Sequence, residues 1–270
     1  MRSLPALAAA AGAICKRDFL IFASYRTRMF TTFFTTAVSL TLFYYVSRLV
    51  SSPRVGSPDE YYAFVVVGLM IFAVLTSTLS APVSTLRAEL QAGTFERMVL
   101  SPFGPVRSIA SLLLFPLLLS LAVAIVSLAY AGAVFGLELR WSTVPAAIPL
   151  AVLAAAAFAP FGLLMTAAVV VFKQTNAGAT LLITGITLLA GVYFPVELLP
   201  GWIQWASEVQ PFTPAVDLLR NVLVGTDLHD PVWAELLKLG GFAAAMLPLS
   251  FFVLRAAVAL SRRKGTIIEY

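Results

Sequence analysis

Few side chains in this sequence could act chemically on a substrate. The chain has one histidine, His229, and one cysteine, Cys15, which excludes multi-histidine metal sites, cysteine clusters and an intramolecular disulfide. None of the lysines lies between a glycine and a serine or threonine, so no Walker A sequence is present. No G-x-S-x-G serine elbow occurs either. We therefore expect no catalytic residue, no metal site and no cofactor held by this chain.

Threonine hydroxyls and tyrosine rings are the other side chains that could contact a substrate. One face of a predicted helix carries small polar residues at i, i+4, i+7 and i+11, namely Thr180, Thr184, Thr187 and Gly191. This face would line a translocation path or a subunit interface, or each threonine would bond the carbonyl one turn earlier in its own helix. Tyr44 and Tyr45 offer rings on which a substrate could stack, or rings that pack against lipid and protein.

Membrane-spanning helices must position these residues. Hydrophobic residues make up 60% of the chain and charged residues 11%, with a mean hydropathy of +0.93, whereas soluble domains carry about 25% charged residues. Six stretches reach the length that a spanning helix needs, roughly 29–50, 61–83, 107–137, 144–172, 178–198 and 233–260. Pro116 and Pro160 mark kinks. The sequence therefore predicts an all-α integral membrane protein with six transmembrane helices.

The charges of the loops predict the orientation. With both termini in the cytoplasm, the cytoplasmic segments hold 13 of the 18 basic residues and only four of the 13 acidic residues. Lysine and arginine favour loops that are not translocated, so this orientation is the expected one. The net charge of +5 then reflects these loops rather than a nucleic-acid partner.

The N-terminal segment, residues 1–28, is interpreted as a cytoplasmic tail with an amphipathic helix. Residues 1–15 imitate a signal peptide, but cleavage would leave Lys16 and Arg17 on the wrong side of the membrane. Over roughly residues 6–28, apolar side chains form one stripe and basic side chains lie opposite. Such a helix is expected to lie along the cytoplasmic surface of the bilayer.

Two connections within the six-span domain, residues 29–260, are more elaborate than plain turns. In the loop at 84–105, Gly93 is predicted to end one short helix and Thr94 to cap the next. This loop is either a solvated hairpin or a docking surface for a soluble partner. In the outer loop at 195–231, prolines separate short re-entrant helices, and Trp202 and Trp205 suit the membrane interface. Residues 261–270 form a cytoplasmic tail.

Three segments together resemble a known family. LRAELQAGTFERMVLSPFGP and GVYFPVELLPGWIQWASEVQPFTPAVDLLRNVLVG resemble the two characteristic connections in the membrane subunits of ABC exporters of the type-two permease family. KRDFLIFASYRTR is similar to the amphipathic connecting helix of that family. The resemblance covers most of the chain in order: connecting helix, two spans, coupling loop and four spans.

The resemblance implies an assembly in the bacterial plasma (inner) membrane. Two permease chains, a homodimer or a pair of paralogues, would sit on two soluble ABC ATPase subunits that bind ATP and Mg²⁺. The residues expected to dock on the ATPase are Lys16, Arg17, Arg87, Glu89, Phe95, Glu96, Arg97 and Lys173. Those expected to form an outer gate are Trp202, Trp205 and Phe212. The translocation path would include Thr180, Thr184, Thr187, Tyr44 and Tyr45.

The expected function is that of a permease subunit exporting an apolar or amphiphilic substrate, such as a drug, a lipid or a lipid-linked glycan. The uncharged middles of the predicted spans favour such a cargo over an ion. A polysaccharide export permease of the same family is the first alternative. A polytopic membrane enzyme or scaffold, and a channel or coupled transporter, remain further alternatives.

Overall fold

The computed structural model describes residues 4–49, 57–101, 103–137, 139–172, 176–193, 196–228 and 230–263. The regular elements within those ranges are helical. They are α1 (Leu4–Ser24), α2 (Arg26–Leu49), α3 (Pro58–Gln91), α4 (Phe95–Leu100), α5 (Pro105–Ser111), α6 (Leu114–Phe135), α7 (Val144–Phe172), α8 (Asn176–Leu189), α9 (Gly201–Val209), α10 (Phe212–Leu223) and α11 (Val232–Arg263). Short 3₁₀ turns occupy Trp141–Thr143 and Val196–Leu198.

Five of the described helical segments are long and apolar enough to cross a membrane. They are α2, α3, the segment Pro105–Phe135 formed by α5 and α6, α7, and α11. The 29 residues of α7 coincide with the predicted stretch 144–172. Lipid offers no partners to backbone polar groups, and helices satisfy those groups internally. The helical architecture therefore agrees with the composition.

Local sequence explains where these helices begin and break. A capping box starts α3: the Ser57 side chain accepts from the N–H of Glu60, and the Glu60 carboxylate accepts from the N–H of Ser57. The break between α5 and α6 precedes Pro116, which cannot donate to the carbonyl of Leu112. Gly136 ends α6 in the left-handed conformation, with φ at 67°.

The helix α3 lies at the centre of the bundle. It packs against α2, α6, α7, α8 and α10, and α7 packs along α11. One group of buried side chains includes Tyr62, Phe158 and Phe212, and a second group near α4 includes Leu86 and Phe95. In contrast, α2 is peripheral and leaves most of its apolar surface outside the protein core.

Close packing joins α3 to α7 at Gly162. A Cβ atom added there would lie 2.2 Å from the carbonyl oxygen of Thr78. That carbonyl has no partner four residues ahead, because Pro82 lacks an N–H. Glycine therefore lets the two backbones approach where a larger residue would collide, as at close helix crossings in membranes.

Three sequence-based boundaries are wrong. The N-terminal helix ends at Ser24 rather than near residue 28, and α2 begins at Arg26. The helix α3 continues through the first half of the 84–105 loop to Gln91. The predicted span 178–198 is not one helix, because α8 ends at Leu189 and a turn follows.

Candidate functional site

An arginine joins α1 to the end of α3. The Arg17 guanidinium donates through Nε and Nη2 to Asp18 Oδ1 at 3.0 and 2.8 Å, and its Nη1 lies 2.9 Å from Glu89 Oε1. The Arg17 side chain is 39% exposed, and the Glu89 side chain is 16% exposed. We call the group formed by Arg17, Asp18, Glu89 and Thr94 the Arg17 cluster. It ties the N-terminal helix to the loop that precedes α4.

The turn before α4 is held by the same glutamate. Gly93 has φ at 68° and ends α3, as predicted. Thr94 does not cap α4 with its side chain, contrary to the sequence prediction. Instead its hydroxyl donates to the carbonyl and the carboxylate of Glu89. The interaction network therefore runs from Arg17 through Glu89 to the first residue before α4.

The predicted docking residues divide into buried and exposed groups. Phe95 is buried in the core beside Leu86, so its side chain anchors α4, and its docking role stays a prediction. Lys16 and Arg97 are exposed, and Arg87 is half-buried. Lys173 and the side chain of Glu96 lie outside the described residues.

Asp18 has a perturbed acidity within the Arg17 cluster. Burial raises the pKa of the Asp18 carboxyl above its usual range, and the nearby Glu89 charge raises it further. The hydrogen bond and charge of Arg17 oppose this effect but do not cancel it. Protonation of Asp18 is therefore easier in the folded chain than in an unfolded one.

A cavity of about 1,200 Å³ opens beside the Arg17 cluster. It lies among α1, α3, α4 and the α5–α6 segment. Its apolar walls include Phe22, Phe115 and Leu119, and its polar walls include the hydroxyls of Ser77 and Ser84 as well as Arg17 and Glu89. A cavity with both kinds of wall suits an amphiphilic molecule.

A second arginine organises the opposite end of the bundle. Arg220 on α10 is 2% exposed. Its Nη1 donates to the Gly191 carbonyl at 2.9 Å, its Nη2 to the Val192 carbonyl at 3.0 Å, and its Nε to the Phe64 carbonyl at 3.1 Å. We call these four residues the Arg220 cluster. It satisfies backbone carbonyls that the end of α8 leaves without helical partners.

The packing around Arg220 is close on every described side. Its guanidinium carbon lies 3.3 Å from the centroid of the Phe64 ring, the geometry of a cation–π contact. A Cβ atom at Gly68 would lie 2.3 Å from the Val192 carbonyl oxygen and 2.8 Å from Arg220 Nη2. Gly68 is therefore required for α3 to approach the turn that follows α8.

The C-terminal end of α10 is also held by the α6–α7 connection. The N–H of Arg140 donates to the Leu223 carbonyl at 2.9 Å, and the Thr143 hydroxyl donates to the Val222 carbonyl. A Cβ atom at Gly225 would collide with the Arg140 guanidinium. Since most of α10 is buried against α3, α7 and α11, it is an internal part of the bundle.

The predicted outer gate is not a single cluster. Trp202 and Trp205 on α9 are 75% and 63% exposed. Phe212 is buried, with its ring centroid 4.3 Å from that of Phe158 and 5.2 Å from that of Phe161. Phe212 therefore packs α10 against α7, and the two tryptophans offer an apolar surface elsewhere.

The residues predicted for a translocation path are also separated. Thr180 and Thr184 are exposed on α8, whereas Gly191 lies in the turn with φ at 65° and so is not part of the predicted helical stripe. Tyr44 stacks on Phe135 at 4.5 Å, within an aromatic cluster between α2 and α6. Tyr45 is 64% exposed, and the Thr187 side chain lies outside the described residues.

The described part of the chain holds no group of three or more histidine, cysteine, aspartate or glutamate side chains that could bind a metal ion. His229 lies outside that part. The absence of a cofactor in this chain stays a prediction. Sequence reasoning placed Arg220 in the outer loop of short re-entrant helices and gave it no role; the available signal was a cation inside the largely apolar stretch 215–224.

The family described as ABC-2 type transporter matches residues 10–224 of this chain. A nodulation protein J of Rhizobium leguminosarum bv. trifolii is 33% identical over 91 residues, which are 34% of this chain and 35% of that protein. Nodulation protein J of Rhizobium meliloti (strain 1021) is 30% identical over 89 residues, 33% of this chain and 34% of that protein. The matches therefore span about a third of the length of these two relatives.

A longer match joins this chain to a transport protein. A daunorubicin resistance ABC transporter permease protein of Streptomyces coeruleorubidus is 24% identical over 201 residues, which cover 74% of this chain and 70% of that protein. The residues matched by the family include α1 from residue 10 onward, the Arg17 cluster, α4 and the Arg220 cluster.

Proposed function

This chain belongs to the ABC-2 type transporter family, and on that premise we propose that it is the permease subunit of an ATP-driven exporter. The observation that carries the proposal is the coupling hairpin, residues 84–105. Phe95 anchors this hairpin in the core, and Glu89 links it to Arg17 of α1. Arg97 within the hairpin and Lys16 on α1 are exposed and can meet a soluble partner.

We propose that an ABC ATPase subunit docks on the coupling hairpin and on α1. ATP and Mg²⁺ would be bound by the ATPase, and a second permease chain would complete the path. Closure of the ATPase pair would displace the hairpin, and the Arg17–Glu89 ion pair would carry that displacement to α1. The ATP-driven change then acts by favouring one of two arrangements of the membrane helices.

We propose that α8 and the turn after it make a sixth membrane crossing. The 14 residues of α8 span about 21 Å, and the bilayer core is about 30 Å thick. Non-helical backbone is tolerated at membrane depth only where protein surrounds it. Ala190 and Val192 are each 1% exposed, and Arg220 binds the carbonyls of the turn, which meets that requirement. Six crossings would leave both termini on the same side of a bacterial inner membrane, and the basic loops favour the cytoplasmic side.

The proposed cargo is an apolar or amphiphilic molecule. The cavity beside the Arg17 cluster combines aromatic and aliphatic walls with serine hydroxyls and charged groups. Its volume of about 1,200 Å³ accepts a molecule larger than a simple ion. The relative named for daunorubicin resistance supports a drug or lipid as a cargo to be tested first.

Reconstitution with the partner ATPase in vesicles tests the function. We expect ATP-dependent movement of daunorubicin or of a short-chain fluorescent lipid. Ser77→Trp should narrow the cavity and reduce this movement at least about tenfold, whereas Ser80→Trp, on an exposed position outside the cavity lining, should not. Failure of the complex to move any amphiphile while it hydrolyses ATP would contradict the cargo proposed here.

A polysaccharide is the competing cargo. The exposed rings of Trp202, Trp205 and Tyr45 are the observation that favours it, since aromatic faces suit the apolar faces of sugars. Adding a lipid-linked glycan to the same vesicle assay separates the two proposals. Stimulation of ATP hydrolysis by the glycan but not by the drug or lipid would support the polysaccharide permease.

A further inference from the structure

A depression of about 700 Å³ lies between the start of α5 and the last third of α11. It is distinct from the cavity beside the Arg17 cluster. Its lining residues are Phe103, Gly104, Pro105, Val106, Arg107, Phe251, Phe252 and Arg255. The lining contains two arginines and no carboxylate, so this surface carries an uncompensated positive charge.

Neither arginine is paired with a carboxylate among the residues that the structure describes. Arg107 and Arg255 are both exposed, and within the described ranges no ion pair includes either of them. Two guanidinium groups that line one depression attract a single anionic group between them. Because a guanidinium presents planar N–H donors, it matches the oxygens of a phosphate especially well.

The apolar part of the depression faces lipid. Phe251 and Phe252 are 41% and 70% exposed although they belong to a membrane-spanning helix. Arg255 follows them at i+4 and i+3, so the three side chains share one side of α11. An exposed phenylalanine on a spanning helix has acyl chains as its natural neighbours.

The arginines lie at the depth of the lipid headgroups. Between Lys238 and Arg255, the stretch Leu239–Leu254 contains no charged residue. At helical rise this stretch is about 24 Å long, close to the thickness of the bilayer core. Arg255 therefore marks one boundary of the core, and Arg107 lines the same depression at that boundary.

We propose that this depression binds one anionic phospholipid. The lipid phosphate lies between Arg107 and Arg255, and an acyl chain runs along Phe251 and Phe252. Basic pockets between membrane helices near the headgroup level are suited to anionic lipids. The lack of a lining carboxylate excludes competition from within the site.

The lipid would also act on the coupling hairpin. Phe103 and Gly104 belong to that hairpin and follow α4 closely in the chain, whereas Phe252 and Arg255 belong to α11. A lipid that contacts both groups joins the end of the hairpin to the last spanning helix. The charge of the bilayer thereby regulates how firmly the hairpin is held.

Lipid retention by the purified full-length chain tests the proposal. The chain is mixed in detergent with equal amounts of phosphatidylglycerol and phosphatidylcholine that carry the same acyl chains, and the retained lipids are counted by native mass spectrometry. We expect preferential retention of phosphatidylglycerol. The double variant Arg107→Gln, Arg255→Gln should lose this preference by about thirtyfold, the effect of removing two cations near a membrane surface.

The matched control is the double variant Arg26→Gln, Arg262→Gln, which removes two exposed arginines outside the depression lining. It should retain phosphatidylglycerol as the wild type does, and Arg107→Lys with Arg255→Lys should retain most of the preference. Equal retention of the two lipids by the wild type would overturn the proposal regardless of how any variant folds. An equal loss of the phosphatidylglycerol preference in the test and control variants would also overturn it. Displacement of the lipid by inorganic phosphate would do the same, because it would indicate a site for soluble anions.

Discussion

The Arg17 cluster and the Arg220 cluster each use one arginine to join separate helices, but they do so in different surroundings. The Arg17 side chain is 39% exposed and binds carboxylates on α1 and α3. Arg220 is 2% exposed and binds three backbone carbonyls from α3 and the turn after α8. The first set of contacts is partly open to water and salt through the Arg17 side chain, although its carboxylate partners are mostly buried. The second set is enclosed by protein.

This difference in exposure indicates which end of the bundle can move. Ion pairs at exposed sites contribute little net free energy and are screened by salt, so they can exchange partners at low cost. A buried donor that satisfies several carbonyls is costly to remove, because the carbonyls find no water in its place. We therefore expect the Arg17 cluster to rearrange during the transport cycle and the Arg220 cluster to move as a rigid unit.

The largest effect is expected at Arg220. Replacement by methionine keeps the apolar stem but leaves the carbonyls of Phe64, Gly191 and Val192 without their donor. We expect the free energy of unfolding to fall by at least about 3 kcal/mol. Arg220→Lys should recover only part of this loss, because an ammonium cannot reproduce the planar donor geometry. Titration with a denaturing detergent measures this change in the free energy of unfolding. A smaller decrease for the Arg220 variant than for the Arg17 variants would contradict the difference between the two clusters.

The next largest effect is expected at Gly68, whose added Cβ would meet the Val192 carbonyl at 2.3 Å. Gly68→Ala should destabilise the fold by about 2 kcal/mol, because the turn must move away from α3. Gly185→Ala is the matched control: a Cβ at Gly185, within α8, meets no atom within 4 Å. The control should be neutral or slightly stabilising, as alanine favours helix. Equal effects of the two alanines in thermal unfolding would argue against close packing at the Arg220 cluster.

A smaller effect on stability is expected for the Arg17–Glu89 ion pair. Arg17→Glu should reduce the free energy of unfolding by about 1 kcal/mol or less. The double variant with Glu89→Arg should restore much of the loss by reversing the pair. A double-mutant cycle at low and high salt measures the coupling, which we expect to shrink as salt rises. A large coupling that does not depend on salt would indicate a rigid cluster like that of Arg220.

The smallest effect is expected at Asp18, whose pKa is raised by burial. Because the folded chain binds this proton more tightly than the unfolded chain does, stability should increase as pH falls through the folded pKa of Asp18. Asp18→Asn should remove that part of the pH dependence and change stability near neutral pH by only about 0.5 kcal/mol. Unfolding curves recorded across the acidic range for both proteins compare the slopes. An unchanged slope in the variant would contradict the role of Asp18.

The sequence allowed the spanning helices to be predicted where hydrophobicity alone decides their length. The predicted stretch 144–172 coincides with α7, since a long apolar run must become a helix in lipid. The end of α8 could not be predicted in this way. Its apolar run continues past Leu189, and the carbonyls of the turn that follows are bound by Arg220, which lies about thirty residues later in the chain.

The sequence predicted the folded element that contains α4, but it did not predict which side chains of that element are buried. The motif around Glu89 and Arg97 correctly indicated a folded element before α5. Motif membership did not distinguish Phe95, which is buried, from Arg97, which is exposed. Phe212 was grouped with the exposed tryptophans for the same reason. Burial depends on contacts between distant segments, and the local pattern of residue types does not record those contacts.

The most direct test of the central claim is capture of an ATPase at the coupling hairpin. Arg97→Cys places a thiol on the exposed side of that hairpin, and Arg48→Cys places one on an exposed position at the other end of the bundle. Both variants also carry Cys15→Ser, which removes the native thiol beside Lys16 and Arg17. They are treated in membranes with a permeant thiol cross-linker while the partner ATPase is expressed. We expect a cross-linked permease–ATPase product from Arg97→Cys and none from Arg48→Cys. Absence of that product from an intact, membrane-embedded Arg97→Cys chain, or equal capture at both positions, would contradict it.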